Sequence, residues 1–113
     1  MGTIRNEMVI VHDWEKDRLE KVREDAINVF KELTDGNSDM MISPIMASYI
    51  NQEYTFVING DCSKSGWETS EQFHETRMKW CKKHQYDVQN IIVINFGEDD
   101  EPCYIVFDSN AES

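Results

Sequence analysis

The sequence is poor in the residues that break or crosslink a chain. Only two prolines and five glycines occur among its 113 residues, and the three cysteines, Cys62, Cys81 and Cys103, include no C-x-x-C pair. A low content of proline and glycine argues against a disordered chain. An odd cysteine count without paired spacing argues against a disulfide framework. We therefore predict a single domain, residues 1–113, with reduced cysteines that are buried or half-buried.

Long hydrophobic runs are also missing. No segment approaches the roughly 20 apolar residues that a membrane-spanning helix needs, and the N-terminal residues MGTIRNE lack the apolar core of a secretory signal. The sequence therefore predicts a cytoplasmic protein that does not bind a membrane.

Basic residues are scarce. Lys and Arg number 11 against 22 Asp and Glu, which gives a formal charge of −11, and residues 87–113 contain seven acids and no Lys or Arg. Binding to nucleic acid normally requires basic side chains that replace counterions on the phosphates. The charge therefore argues against direct binding to DNA or RNA, and it favours a protein partner with a basic surface.

The pattern of apolar residues predicts two helices and five strands. Residues 7–12 are rich in Val and Ile, which is typical of a strand, whereas apolar residues recur every three or four positions between 14 and 33, as in a helix that begins after Asp13. The remaining predicted elements are strands in 40–50 and 54–59, a helix over 69–84, and strands in 90–96 and 102–108. The predicted order is β-α-β-β-α-β-β. It suits an α+β two-layer sandwich, ferredoxin-like with an added C-terminal strand.

The loop GDCSKSGWETS, residues 60–70, lies between a predicted strand and a predicted helix. It does not match a phosphate-binding P-loop, because five residues separate the two glycines and Trp67 occupies the position of the lysine. We favour a structural turn, with Ser65 or Thr69 capping the helix and Trp67 packed on the core. The alternative is a ligand loop in which Lys64, Ser65 and Trp67 hold an anion near the helix start.

Candidate metal ligands and nucleophiles occur without the spacing that their chemistry needs. Cys62, His74, Cys81 and His84 show none of the paired spacings of zinc sites, and the acids of GEDDE, residues 97–101, are contiguous instead of alternating as in calcium loops. Cys81 lies in the C-terminal half of its helix, where the helix dipole does not lower a thiol pKa. We therefore predict no metal, no cofactor and no enzymatic activity.

The densest basic cluster lies at the end of the second predicted helix. It consists of Arg77, Lys79, Lys82 and Lys83. Cations in the last turns of a helix complement its dipole. The helix dipole therefore explains this cluster without a ligand.

The stretch YTFVINGDCSKSGWETSEQFHE, residues 54–75, resembles an element of small tailed-bacteriophage proteins. In those proteins an aromatic-rich strand leads into a "GSKEGW"-like loop and then an acidic helix, and Cys62 and Ser65 depart from that pattern. The resemblance implies a phage accessory protein that works in the host cytoplasm, and it brings no activity with it.

Together these features predict a protein that binds, and inhibits, a host macromolecule through an acidic surface, as a nucleic-acid mimic does. The predicted contact acids are Glu98, Asp99, Asp100 and Glu101, helped by Asp17 and Glu24 on the first helix. Two alternatives stay open: a small-ligand protein that uses the 60–70 loop, and an oligomeric phage component, such as a homodimer, held by sheet residues such as Phe56.

Overall fold

The structure, a computed structural model, describes residues 4–96 and 102–111. Its regular elements in chain order are β1 (Glu7–Asp13), α1 (Lys16–Phe30), β2 (Met46–Ala47), β3 (Tyr54–Ile58), α2 (Glu68–His84), β4 (Asn90–Asn95) and β5 (Tyr104–Asp108). Two short 3₁₀ turns, Glu32–Thr34 and Ser38–Met40, connect α1 to β2. The predicted α+β class is confirmed.

The five strands form one antiparallel sheet in the order β2-β3-β1-β4-β5. The central strand β1 places Val9 between Ile58 of β3 and Val93 of β4. Side chains alternate between the two faces of a strand. Successive residues of β1 are accordingly buried and half-buried in alternation. One face of the sheet therefore belongs to the core.

The two helices complete this core. α1 buries Leu19, Val22, Ala26 and Phe30, and α2 buries Phe73, Trp80 and Cys81. All of these pack in one cluster with the inward residues of the sheet. The ring of Phe30 stacks on that of Phe73 at 6.1 Å between centroids, which joins the end of α1 to the start of α2.

The second face of the sheet is also apolar. Ile10 pairs with Val57 on one side and with Ile92 on the other, and all three side chains are half-buried. The prediction that used Phe56 as an exposed sheet residue is wrong, because Phe56 is fully buried under the helices. Val57, its neighbour in sequence, faces outward instead.

Helix α1 is shorter than predicted at both ends. Asp13 does not begin the helix directly; its carboxylate accepts the backbone N–H of Glu15 at 3.1 Å, and the helix starts one residue later. At the other end, the left-handed conformation of Gly36, with φ of 85°, lets its N–H reach the carbonyl of Lys31 at 2.8 Å. Residues 32–34 therefore form a 3₁₀ turn instead of continuing α1.

The strand predicted within 40–50 is reduced to two residues. Pro44 has no N–H for a strand ladder, and the hydroxyl of Ser43 accepts the N–H of Val57 at 2.8 Å in place of a backbone carbonyl. Regular pairing with β3 resumes only at Met46 and Ala47. In the part of the chain that the structure describes, no helix is long and apolar enough to cross a membrane.

Candidate functional site

The most unusual side chain in the structure is Arg77, which is fully buried on α2. Its Nη1 donates to Oε1 of Glu7 at 2.6 Å, and its Nη2 lies 3.4 Å from Oδ1 of Asp61. His74, one turn earlier on α2, places Nδ1 at 2.8 Å from the same Glu7 oxygen. One guanidinium therefore holds two carboxylates that come from β1 and from the loop after β3. We call Glu7, Asp61, His74 and Arg77 the charged cluster.

The charged cluster fixes the loop that the sequence singled out. At Gly60, a Cβ atom would lie 2.6 Å from the backbone oxygen of Glu7, so this position requires glycine for a close approach to β1. The hydroxyl of Ser63 donates to Asp61, and the carbonyl of Ser63 accepts the N–H of Arg5 at 2.9 Å. The 60–70 loop is thus tied down at its base by backbone contacts and by a buried charge.

The candidate ligand residues lie on the outer part of this loop. The ammonium of Lys64 lies 5.6 Å from the ring centroid of Trp67, within the range of a cation–π contact, and Ser65 is exposed. Trp67 is 55% exposed, so the prediction that it packs on the core is wrong. The tryptophan that packs in the core is Trp80 of α2, which is 2% exposed.

The structure also corrects the predicted start of α2. The helix begins at Glu68, and neither Ser65 nor Thr69 caps it, because the N-cap position belongs to Trp67 and has no side-chain hydrogen bond. Lys79, Lys82 and Lys83 are exposed in the second half of α2, whereas Arg77 is fully buried.

Sequence reasoning missed the charged cluster because its members are far apart in the chain. Glu7 and Arg77 are separated by 70 positions. The sequence around Glu7 is typical of a strand, and the sequence around Arg77 is typical of an amphipathic helix. One signal was present: in α2, Ser70, Phe73, Arg77 and Trp80 share one helical stripe, which places Arg77 on the buried face of the helix.

The candidate metal ligands are dispersed among different partners. His74 belongs to the charged cluster, and Cys81 is buried in the core, where burial raises the pKa of its thiol to about 12. Cys62 and Cys103 are exposed, contrary to the prediction that they would be buried or half-buried. Among residues 4–96 and 102–111, no group of three or more His, Cys, Asp and Glu is arranged to hold a metal ion.

A second polar cluster joins the two helices near the opposite end of α2. His84 lies between two carboxylates, with Nε2 at 2.6 Å from Asp25 of α1 and Nδ1 at 2.7 Å from Asp87. Lys83 adds a contact of 3.2 Å to the same Asp25 oxygen. Burial opposes ionisation of Asp25, but the hydrogen bonds from His84 and Lys83 outweigh it and lower the pKa of this carboxyl.

The predicted contact acids fall in two places. Glu98, Asp99, Asp100 and Glu101 lie outside the described residues. Asp17 and Glu24 are exposed on α1. α1 starts just after Asp13, at one end of the sheet, whereas β4 ends at Asn95 beside Glu7, at the other end.

The residues that border the C-terminal acids are apolar and exposed. Phe96 is 43% exposed just before 97–101, and Tyr104 and Ile105, at the start of β5, are 59% and 61% exposed. Large aromatic and aliphatic side chains of this kind are the usual anchors of protein interfaces. The edge strand β5 therefore offers apolar contact area at residues that are close in sequence to the acids.

Comparison with protein-family models, curated proteins and solved structures found no match for this chain.

Proposed function

We propose that this chain is a binding protein that engages a protein partner with a basic surface through the C-terminal hairpin and blocks that surface. The contact acids are Glu98, Asp99, Asp100 and Glu101. The observation that carries the proposal is the charge of residues 87–113, with seven acids and no Lys or Arg, next to the exposed side chains of Phe96, Tyr104 and Ile105.

The physical argument separates rate from affinity. A concentrated negative charge attracts a basic surface over a distance and raises the association rate. Burial of exposed aromatic and aliphatic side chains then slows dissociation. Asp17 and Glu24 on α1 add to this negative field. In this proposal their contribution is weaker than that of the contact acids, because salt at physiological concentration screens charges over about 8 Å. A basic groove that normally binds nucleic acid is the kind of partner that this arrangement fits.

The proposed setting follows from the same features. The chain order and the sheet order suit a ferredoxin-like sandwich extended by β5. The phage-like loop in residues 54–75 suggests an accessory protein that acts in the cytoplasm of a bacterial host. In this proposal the domain has no enzymatic activity and needs no cofactor, and its rigid sheet presents the acidic hairpin.

The test compares two variants of equal net charge. In the first, Glu98, Asp99, Asp100 and Glu101 are replaced by Gln or Asn. In the second, four exposed acids elsewhere, Glu20, Glu32, Asp35 and Asp39, are replaced in the same way. Proteins captured from host lysate by the unmodified chain are identified by mass spectrometry, and the association rate of each purified candidate is measured at several salt concentrations.

We expect the first variant to associate about tenfold more slowly and with a weaker dependence on salt, since steering is the contribution that screening removes. The second variant should stay close to the unmodified chain. An association rate that is the same for all three proteins at every salt concentration would contradict the proposal.

A second candidate function rests on the outer face of the sheet. Ile10, Val57 and Ile92 form a row of half-buried apolar side chains there, and Ile94 continues it. A surface of this kind is typical of a homodimer or a structural phage component. Sedimentation of the unmodified protein and of an Ile92→Lys variant distinguishes the two functions, because only the oligomer dissociates when this face is charged.

A further inference from the structure

The two edges of the sheet differ in how well they are protected. At one edge, β2 pairs over only two residues, Met46 and Ala47, and Pro44 precedes it. Short strands and prolines are the means by which proteins block an edge against further pairing. At the other edge, β5 has five residues, Tyr104–Asp108, and contains no proline and no lysine. β5 is therefore the edge that is open to an additional strand.

The side chains of β5 are suited to such an addition. Tyr104 and Ile105 are adjacent, so they project from opposite faces of the strand, and both are more than half exposed. A strand laid along β5 would cover part of each side chain. This would give the bound segment one apolar contact above the sheet and one below it.

The hydrogen bonds of β5 show which backbone groups face outward. Ser109 donates its N–H to the carbonyl of Ile91 at 2.9 Å, and the next pair along the ladder is Asp108 with Ile92. Because inward and outward groups alternate in an antiparallel pair, the N–H of Asp108 points away from β4. The carbonyl of Asp108 already accepts the N–H of Ala111 at 3.0 Å, and its carboxylate accepts the N–H of Asn110 at 3.0 Å. An added strand would therefore pair with Asp108 through the N–H of this residue.

Charge decides which kind of strand fits. A second copy of this chain would bring together two C-terminal segments that each carry seven acids and no base between residues 87 and 113, and these segments would repel each other. An extended segment that contains both basic and apolar residues meets opposite charge at Asp108 and apolar surface at Tyr104 and Ile105.

From these observations we infer that β5 is a docking edge, at which a basic, extended segment of the partner protein adds to the sheet as a sixth strand. This inference rests on the proposed function and specifies its binding mode: backbone pairing supplies the register, and the neighbouring acids supply the attraction.

The experiment uses a synthetic probe. It is a short peptide, capped at both ends, in which lysine alternates with valine. Its twin has the same side chains and a methyl group on every backbone amide, so it keeps the charge and cannot pair as a strand. Both are titrated into the full chain, with amide chemical shifts and hydrogen exchange recorded by NMR.

We expect the first peptide to protect amides of β5, including that of Asp108, and to leave the amides of α1 unaffected. The methylated twin should bind about tenfold more weakly because the backbone hydrogen bonds are lost. Ile105→Lys, which adds a positive charge at the docking edge, should weaken binding of the first peptide by a similar factor. Tyr49→Lys, which makes the same charge change at a fully exposed site in the β2–β3 turn, should not.

The alternative results are separable. Equal binding of the two peptides, or binding of neither, overturns strand addition and leaves the acidic surface to be judged by the partner's association rate. Protection of β5 amides that grows with protein concentration in the absence of peptide overturns it as well, and assigns the edge to a second copy. If the four acids also prove irrelevant to partner association, the proposed function itself fails.

Discussion

The guanidinium of Arg77 and the carboxylate of Glu7 meet at 2.6 Å with both side chains removed from solvent. They join the middle of α2 to the first residue of β1, and Asp61 brings in the 60–70 loop through the same guanidinium. Buried charges are costly to desolvate, and such a pair is held in place only when each charge finds its partner. The contact therefore selects one arrangement of strand, loop and helix.

Removal of Arg77 should be the most damaging single change to a charge in the described structure. Arg77→Met leaves Glu7 and Asp61 buried without their cation, and we expect a loss of about 3–5 kcal/mol in the free energy of unfolding. Denaturant unfolding measures it. The control is Lys16→Met, which breaks an exposed pair with Glu20 and should cost no more than about 0.5 kcal/mol. Equal losses in the two variants would show that the cluster does not stabilise the fold.

Trp67, which precedes α2, and Trp80, in the second half of α2, should respond very differently to truncation. Trp80→Ala removes a side chain that is 2% exposed and should destabilise the protein by about 3–5 kcal/mol. Trp67→Ala removes one that is 55% exposed, and its cost should stay below about 1 kcal/mol. Thermal unfolding of both variants checks this. A large loss for Trp67→Ala would mean that its ring packs more closely than the structure shows.

The pairing of Asp25 with His84 and Lys83 should make stability depend on acid pH. The pKa of Asp25 is lowered in the folded protein from an ordinary value of 3.8. Its contribution is therefore complete above that value and is lost as the pH falls through the lowered folded value. The stability difference between the unmodified protein and Asp25→Asn should shrink as the pH falls from about 5 to about 2. Asn28→Ala, an exposed change on the same helix that removes no ionisable group, is the control and should show no such convergence.

The three cysteines should fall into two classes of reactivity. The thiolate is the reactive form, and burial raises the pKa of Cys81 to about 12, whereas Cys62 and Cys103 are exposed. In the native protein a maleimide reagent should therefore label Cys62 and Cys103 quickly and Cys81 only after denaturation. Mass spectrometry of labelled peptides identifies the sites. Rapid native labelling of Cys81 would indicate that the core between α1 and α2 opens readily.

The regular elements could be predicted because their signals are local. Alternation in residues 7–12 and the three- and four-residue spacing from Leu19 to Phe30 determine which face each element buries, whatever the element packs against. The ends of α1 and β2 differ from the predicted ones. The start of β2 and the start of α1 depend on single hydrogen bonds that the side chains of Ser43 and Asp13 make with the backbone.

The charge of the chain and the acidity of residues 87–113 were also determined by the sequence alone, because formal charge does not depend on the fold. Only the tertiary structure decided that Arg77 is buried while Lys79 is not, that Trp67 is exposed while Trp80 is not, and that β5 lies at an edge of the sheet. Each of these depends on which distant residue lies opposite. That pairing is set by packing across the sheet, and local spacing carries no information about it.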